Sequence, residues 1–176
     1  MSPETITYTY TGSVEPNNVN NTITWINNQI NTIVGIKTLY FYLSSTGGDM
    51  DSAIRLYDFL KSIPVKVIMI GFGQIDSAAN TIYLAGEERI AVKNCRFFLH
   101  EGTFTMNQAS ALHVHEETLL FLKEILRRSI EIISAETKKS NNQIKKVLKD
   151  GTLLNTIDAQ KFGMVHKIVN KLPRLA

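Results

Sequence analysis

Apolar residues along this chain follow two rhythms that take turns. Ile6, Tyr8 and Tyr10 alternate with threonines and Thr11-Gly12 closes the run, which predicts a first strand. After Pro16-Asn17-Asn18 the apolar positions are Val19, Ile23, Ile26, Ile30 and Ile33, spaced as on one face of a helix despite many asparagines. Leu39 to Leu43 reads as a buried strand, Ser44-Ser45-Thr46-Gly47-Gly48-Asp49 as the turn after it, and Ala53, Ile54, Leu56, Tyr57 and Leu60 as a second helix. A strand at residues 65–70, a short helix of small residues at 77–84, and strands at 89–92 and 96–99 come next.

Residues 108–137 contain neither proline nor glycine and carry Leu112, Leu119, Leu120, Leu122, Ile125, Leu126, Ile130 and Ile133. The helix they predict is longer than a compact domain of this size needs, so it is expected to protrude or to pack on another subunit. A helix at 141–149, a turn at Asp150-Gly151, a helical turn at 158–162 and a last strand at 164–169 complete the pattern. Strands separated by helices predict an α/β fold with a mostly parallel sheet and crossover connections. Without a linker, repeat or low-complexity segment, residues 1–176 read as one domain.

Composition narrows the classes. At 176 residues, 44% of them hydrophobic, the chain can bury a sizeable core. The net charge of +3 comes from basic residues interleaved with acids, which gives no reason to expect a nucleic-acid partner. The lone Cys95 excludes an internal disulfide, builds no metal cluster and fits a reducing compartment. Met1-Ser2-Pro3-Glu4-Thr5 lacks a secretory pattern, and no apolar run reaches the ~18 residues of a spanning helix. A cytoplasmic protein with no membrane association is expected.

The candidate chemistry is Ser77 with His100. Ser77 stands in Gly71-Phe72-Gly73-Gln74-Ile75-Asp76-Ser77-Ala78-Ala79-Asn80, after a strand and before a helix, and His100 closes Arg96-Phe97-Phe98-Leu99-His100. A hydroxyl at the mouth of a sheet and an imidazole able to take its proton are the first requirement of serine nucleophilic catalysis. Taken locally, the sequence favours Ser77 as a helix cap and His100 as a core residue beside two phenylalanines. His113 and His115, two apart on the long helix, fall on different faces and read as surface or interface residues.

Five segments in order resemble the proteolytic subunits of the Clp protease family, within the wider crotonase-like fold, from about Thr11 to Val169. They are Thr11-Gly12-Ser13-Val14-Glu15; Leu43-Ser44-Ser45-Thr46-Gly47-Gly48, similar to an Asn-Ser-Pro-Gly-Gly loop; Ser77 placed ahead of Leu84-Ala85-Gly86-Glu87; His100 after Lys93-Asn94; and Ala159-Gln160-Lys161-Phe162-Gly163-Met164-Val165. The resemblance implies a serine endopeptidase with Ser77 as nucleophile, His100 as base, and the amides of Gly48 and Ala78 as oxyanion donors. It puts Gly151 where the family carries its triad aspartate, leaving the adjacent Asp150 as the candidate acid and Asp158 as a second. Asp76 replaces a usual small residue, and an adjacent carboxylate disfavours negative charge building up at the site.

The same resemblance implies a homo-oligomer of stacked rings with the long helix at their junction, peptides or unfolded chains as substrates, and an AAA+ ATPase as partner. No metal or organic cofactor is implied, and ATP enters only through that partner. The roughly ten residues before Thr11 are fewer than the family's axial segment, which favours assembly over ATPase docking. Two further classes stay open: a catalytically impaired ring subunit and a crotonase-type acyl-CoA-binding protein.

Overall fold

The computed structural model of the chain describes residues 4–102 and 111–173. Strand β1 (Thr5–Thr11) leads through helix α1 (Pro16–Thr32) to β2 (Thr38–Ser45), and α2 (Met50–Ser62) leads on to β3 (Lys66–Asp76). Helix α3 (Ala79–Leu84), β4 (Glu88–Val92) and β5 (Arg96–Leu99) follow, then the long α4 (Leu112–Thr137), α5 (Asn141–Asp150), β6 (Thr152–Asn155), α6 (Thr156–Phe162) and β7 (Lys167–Val169). The sheet runs β1-β2-β3-β4-β7, with β5 on β3 and β6 on β5. Every pairing is parallel except β5 with β6, so the expected α/β class and mostly parallel sheet hold.

Local chemistry explains the element ends. Proline opens α1 where no amide partner is lost, and the Asp49 carboxylate caps α2 by accepting from the Ser52 amide at 2.8 Å. Helix α5 starts on a capping box of Ser140 and Gln143 and stops at Gly151, whose φ of +64° is left-handed. Strands β2 and β3 are apolar on both faces. Leu39, Phe41, Leu43, Val67 and Met69 join the main core under the helices, while Tyr42, Ile68, Ile70 and Ile90 form a smaller cluster on the opposite face.

Strand β3 is longer than the sequence pattern predicts, and its extension builds the site. Its first part pairs with β4 from Ile68 to Gly71, and its last part, Gln74 to Asp76, pairs with β5 instead. The chain from β4 through a three-residue connection into β5 therefore tracks along β3, and carries His100 to the level of Ser77. Strand β6, absent from the sequence reading, lies antiparallel on β5 with Leu99 opposite Thr152.

Helix α4 fits the expected protrusion. Its buried residues, Ser129, Ile133 and Thr137, all lie in its C-terminal part, while Leu112, Leu119, Leu120 and Phe121 are exposed. The predicted first turn, residues 108–110, lies outside the described residues. The helix end is tied down by Arg89, a buried guanidinium that donates to the Glu136 carboxylate at 2.9 Å and to the carbonyls of Met164, Glu136 and Gly163. Among the described residues no helix is long and apolar enough to cross a membrane.

Candidate active site

Ser77 occupies the turn between β3 and α3 with φ of +55°, a left-handed conformation that an L-residue other than glycine adopts at a cost. Backbone bonds hold it there: its amide donates to the Phe98 carbonyl at 2.8 Å, and its carbonyl accepts from the Asn80 amide at 3.0 Å. Among the described residues its hydroxyl makes no hydrogen bond, and the N-cap position of α3 falls to Ala78. Ser77 thus stands one residue ahead of the cap position, with its backbone in the left-handed region.

The Gly47-Gly48 loop presses on this turn. A Cβ on Gly47 would stand 2.5 Å from the Asp76 carbonyl oxygen, 2.6 Å from Ser77 Cβ and 2.9 Å from the Ala78 nitrogen, so only glycine allows the approach. Gly48, with φ of +145°, bridges Val14, and bonds of 2.8 Å from Val14 N to Gly47 O and from Asp49 N to Val14 O fix the loop on both sides. Among the described residues, the amides of Gly48 and Ala78 have no hydrogen-bond acceptor. Acyl transfer needs free amide donors for its oxyanion, and these two belong to the residues that follow Gly47 and Ser77 at their contact.

His100 lies just past the end of β5. Its Nδ1 is 2.7 Å from the Glu101 carbonyl oxygen, and the Phe98 ring stacks on the imidazole at 4.8 Å between centroids. A carbonyl can only accept, so Nδ1 carries the proton and Nε2 is left as the basic nitrogen. Ser77 and His100 line one cavity of about 270 Å³ with Gly48, Met50, Asn80 and Thr81, walled by apolar side chains of α4. Among the described residues no hydrogen bond joins Ser77 to His100; such bonds often close only with substrate or a partner subunit in place.

The expected acid is engaged elsewhere. Asp150 ends α5 with its carboxylate paired to Lys146 one turn earlier, half exposed, and Asp158 sits at the start of α6 against Asn155 and Lys161. Neither is hydrogen-bonded to His100, whose proton-bearing nitrogen meets a backbone carbonyl. Asp76, adjacent to the serine, is paired with Arg96 at 2.7 Å, which offsets the charge that the sequence flags beside the site. Asn80, which sequence reasoning passed over, donates through Nδ2 to the carbonyls of Ser77 and Phe98 at 3.0 and 2.8 Å. Its signal was present as a lone amide in a run of small and apolar residues. Cys95 is buried, which pushes its thiol up to about 12 and leaves it no part in this chemistry.

Fold and site together define an α/β protein that presents a serine at a strand-to-helix turn against a diglycine loop. A model of the family described as Clp protease matches residues 12–172, and the chain belongs to that family. Among its relatives, ATP-dependent Clp protease proteolytic subunit 2 of Pseudomonas aeruginosa is 31% identical over 74% of this chain, and subunit 3 of Rhizobium johnstonii is 33% identical over 73%. Those matches span 65% and 66% of the relatives' own lengths. A solved structure of a ClpP1 point variant from Listeria monocytogenes, 23% identical, covers 94% of this chain and 92% of that one with a TM-score of 0.75, which shows a shared fold.

Proposed function

We propose that this chain is a serine endopeptidase subunit of the Clp type, in which Ser77 attacks a peptide carbonyl. His100 Nε2 takes the hydroxyl proton and then returns it to the leaving amine, and a water activated by the same nitrogen releases the acyl group. The amides of Gly48 and Ala78 stabilise the oxyanion. One observation carries the reading: a left-handed Ser77, a diglycine loop packed on it and a singly anchored imidazole share one cavity. The Glu101 carbonyl fixes the tautomer, so the chemistry runs as a serine–histidine dyad; Asp150 completes a triad only if its carboxylate leaves Lys146.

The reaction needs no metal or organic cofactor. By family likeness the subunit works in the cytoplasm in stacked rings, with the exposed apolar stretch of α4 at their junction, on peptides or on unfolded chains delivered by an AAA+ ATPase that consumes the ATP. Hydrolysis of a fluorogenic peptide by the assembled protein, lost in both Ser77→Ala and His100→Ala with the assembly intact, is the expected result. Turnover that survives Ser77→Ala refutes it. Among the described residues no carboxylate bonds His100, which favours a second reading, a ring subunit without activity of its own; no hydrolysis by the unmodified assembly, with activity regained in mixed assemblies carrying an active relative, supports that one.

A further inference from the structure

We propose that Asn80 is a positioning residue that holds the nucleophile turn and the base-bearing strand in register, at a site where no carboxylate among the described residues bonds His100; this rests on the serine-protease reading above. Asn80 is buried at 2% exposure. Its Nδ2 donates to the Ser77 carbonyl at 3.0 Å and to the Phe98 carbonyl at 2.8 Å. Phe98 stacks on the imidazole of His100 two residues further on. One side chain thus joins the residue that carries the nucleophile to the strand end that carries the base.

The orientation of the amide follows from its partners. Both are carbonyl oxygens that only accept, so the NH₂ group faces them, and a flipped amide would set an oxygen against two others. That leaves Oδ1 buried with no hydrogen-bond partner among the described residues. A buried acceptor in this state is destabilising and calls for a compensating reason. Alanine would avoid the cost, and the rest of α3, from Ala79 to Leu84, is buried with the core. What the asparagine supplies and alanine lacks is the two-carbonyl clasp.

The clasp matters because, among the described residues, no other side chain bonds both Ser77 and the end of β5. A triad carboxylate would hold the ring directly; here the ring is anchored to the backbone of its own neighbour, Glu101. Its position therefore follows β5, and β5 is held to the Ser77 turn by the Ser77 amide, by Asn80 and, on the outer side, by the Asp76–Arg96 pair. Small displacements of reacting groups cost large factors in rate.

The test is the rate at which a fluorophosphonate labels the full chain, resolved into kinact and KI, for the unmodified protein, Asn80→Ala and Asn80→Asp, with assembly followed by sedimentation. Asn80→Ala is expected to lower kinact by about tenfold or more with KI changed less than about twofold. In Asn80→Asp the ionised carboxylate opposes both carbonyls and only its protonated form donates, so its kinact relative to the unmodified protein should recover as the pH falls from about 8 to about 5. A purely structural role would lower the melting temperature without that pH-dependent ratio. The inference is overturned if assembled Asn80→Ala labels within about twofold of the unmodified rate, or, where that variant does not fold, if the Asn80→Asp ratio is flat with pH. No labelling of the unmodified protein overturns the protease reading and this inference together, whereas equal labelling of all three overturns the inference alone.

Discussion

Replacing Gly48 by alanine should weaken both folding and reactivity, by amounts that follow from the backbone around it. At φ of +145° an L-residue is strained by about 1–3 kcal/mol. The new Cβ would also overlap the Val14 carbonyl oxygen, with the carbonyl carbon and amide nitrogen of Val14 each 3.1 Å away. These are backbone atoms that cannot swing aside, so the loop must move and loosen the two 2.8 Å bonds that flank Val14, each contributing about 0.5–1.5 kcal/mol. A loss of roughly 2–6 kcal/mol in urea unfolding is expected. Displacing the amide from the oxyanion position should slow fluorophosphonate labelling by about 10²–10³. Full stability in Gly48→Ala would refute the loop geometry; lost stability with undiminished labelling would remove the Gly48 amide from the site.

Three further outcomes are expected. Asp150→Asn should change labelling less than about twofold, since its carboxylate faces Lys146; a loss of about 10⁴ would instead establish Asp150 as the acid of a triad. Arg89→Met should cost about 2–5 kcal/mol in urea unfolding by leaving the carbonyls of Met164 and Gly163 and one oxygen of Glu136 without their donor, Lys61 and Tyr57 remaining on the other oxygen, and a change below about 1 kcal/mol would contradict that network. Burial, then the neighbouring Arg89, holds the His166 imidazole below its ordinary 6.5, against weaker pulls from Glu88 and Glu136. The unfolded chain therefore binds that proton more readily, so the contribution is intact above about pH 6.5 and is lost as pH falls below it; denaturation at a series of pH values should show a slope that His166→Asn flattens.

The sequence rhythm disclosed most of the scaffold because helices and central strands are set by local spacing. Val19, Ile26 and Leu56 are buried where the helical period puts them, and the strand cores at Leu39 to Leu43 and Val67 to Ile70 fall where apolar runs predict them. What escaped was set by distant partners. Gly73, Gln74 and Asp76 interrupt the apolar run, yet β3 continues through Gln74 to Asp76 because β5 lies beside those residues. Thr152 to Asn155 is too short and too polar to announce β6, and pairs only because β5 offers an edge.

The candidate site was legible to the same extent. Ser77, His100 and Gly48 meet in one cavity because each terminates or follows a strand of a parallel sheet, a relation that chain order already implies. The acid was not legible, since a surface helix end such as Asp150 can turn to solvent or to a lysine without altering any spacing. Asn80 stayed hidden for a different reason: its two acceptors belong to segments about twenty residues apart, which only the folded chain brings together.

Activation of Ser77 as a nucleophile underlies all of this chemistry. Incubating the assembled protein with a fluorophosphonate and mapping the adduct by peptide mass spectrometry addresses it directly. One adduct per chain is expected, on the peptide that carries Ser77, and none after His100→Ala at the same exposure; an adduct on another serine, or an unmodified Ser77 in an intact assembly, would contradict this chemistry.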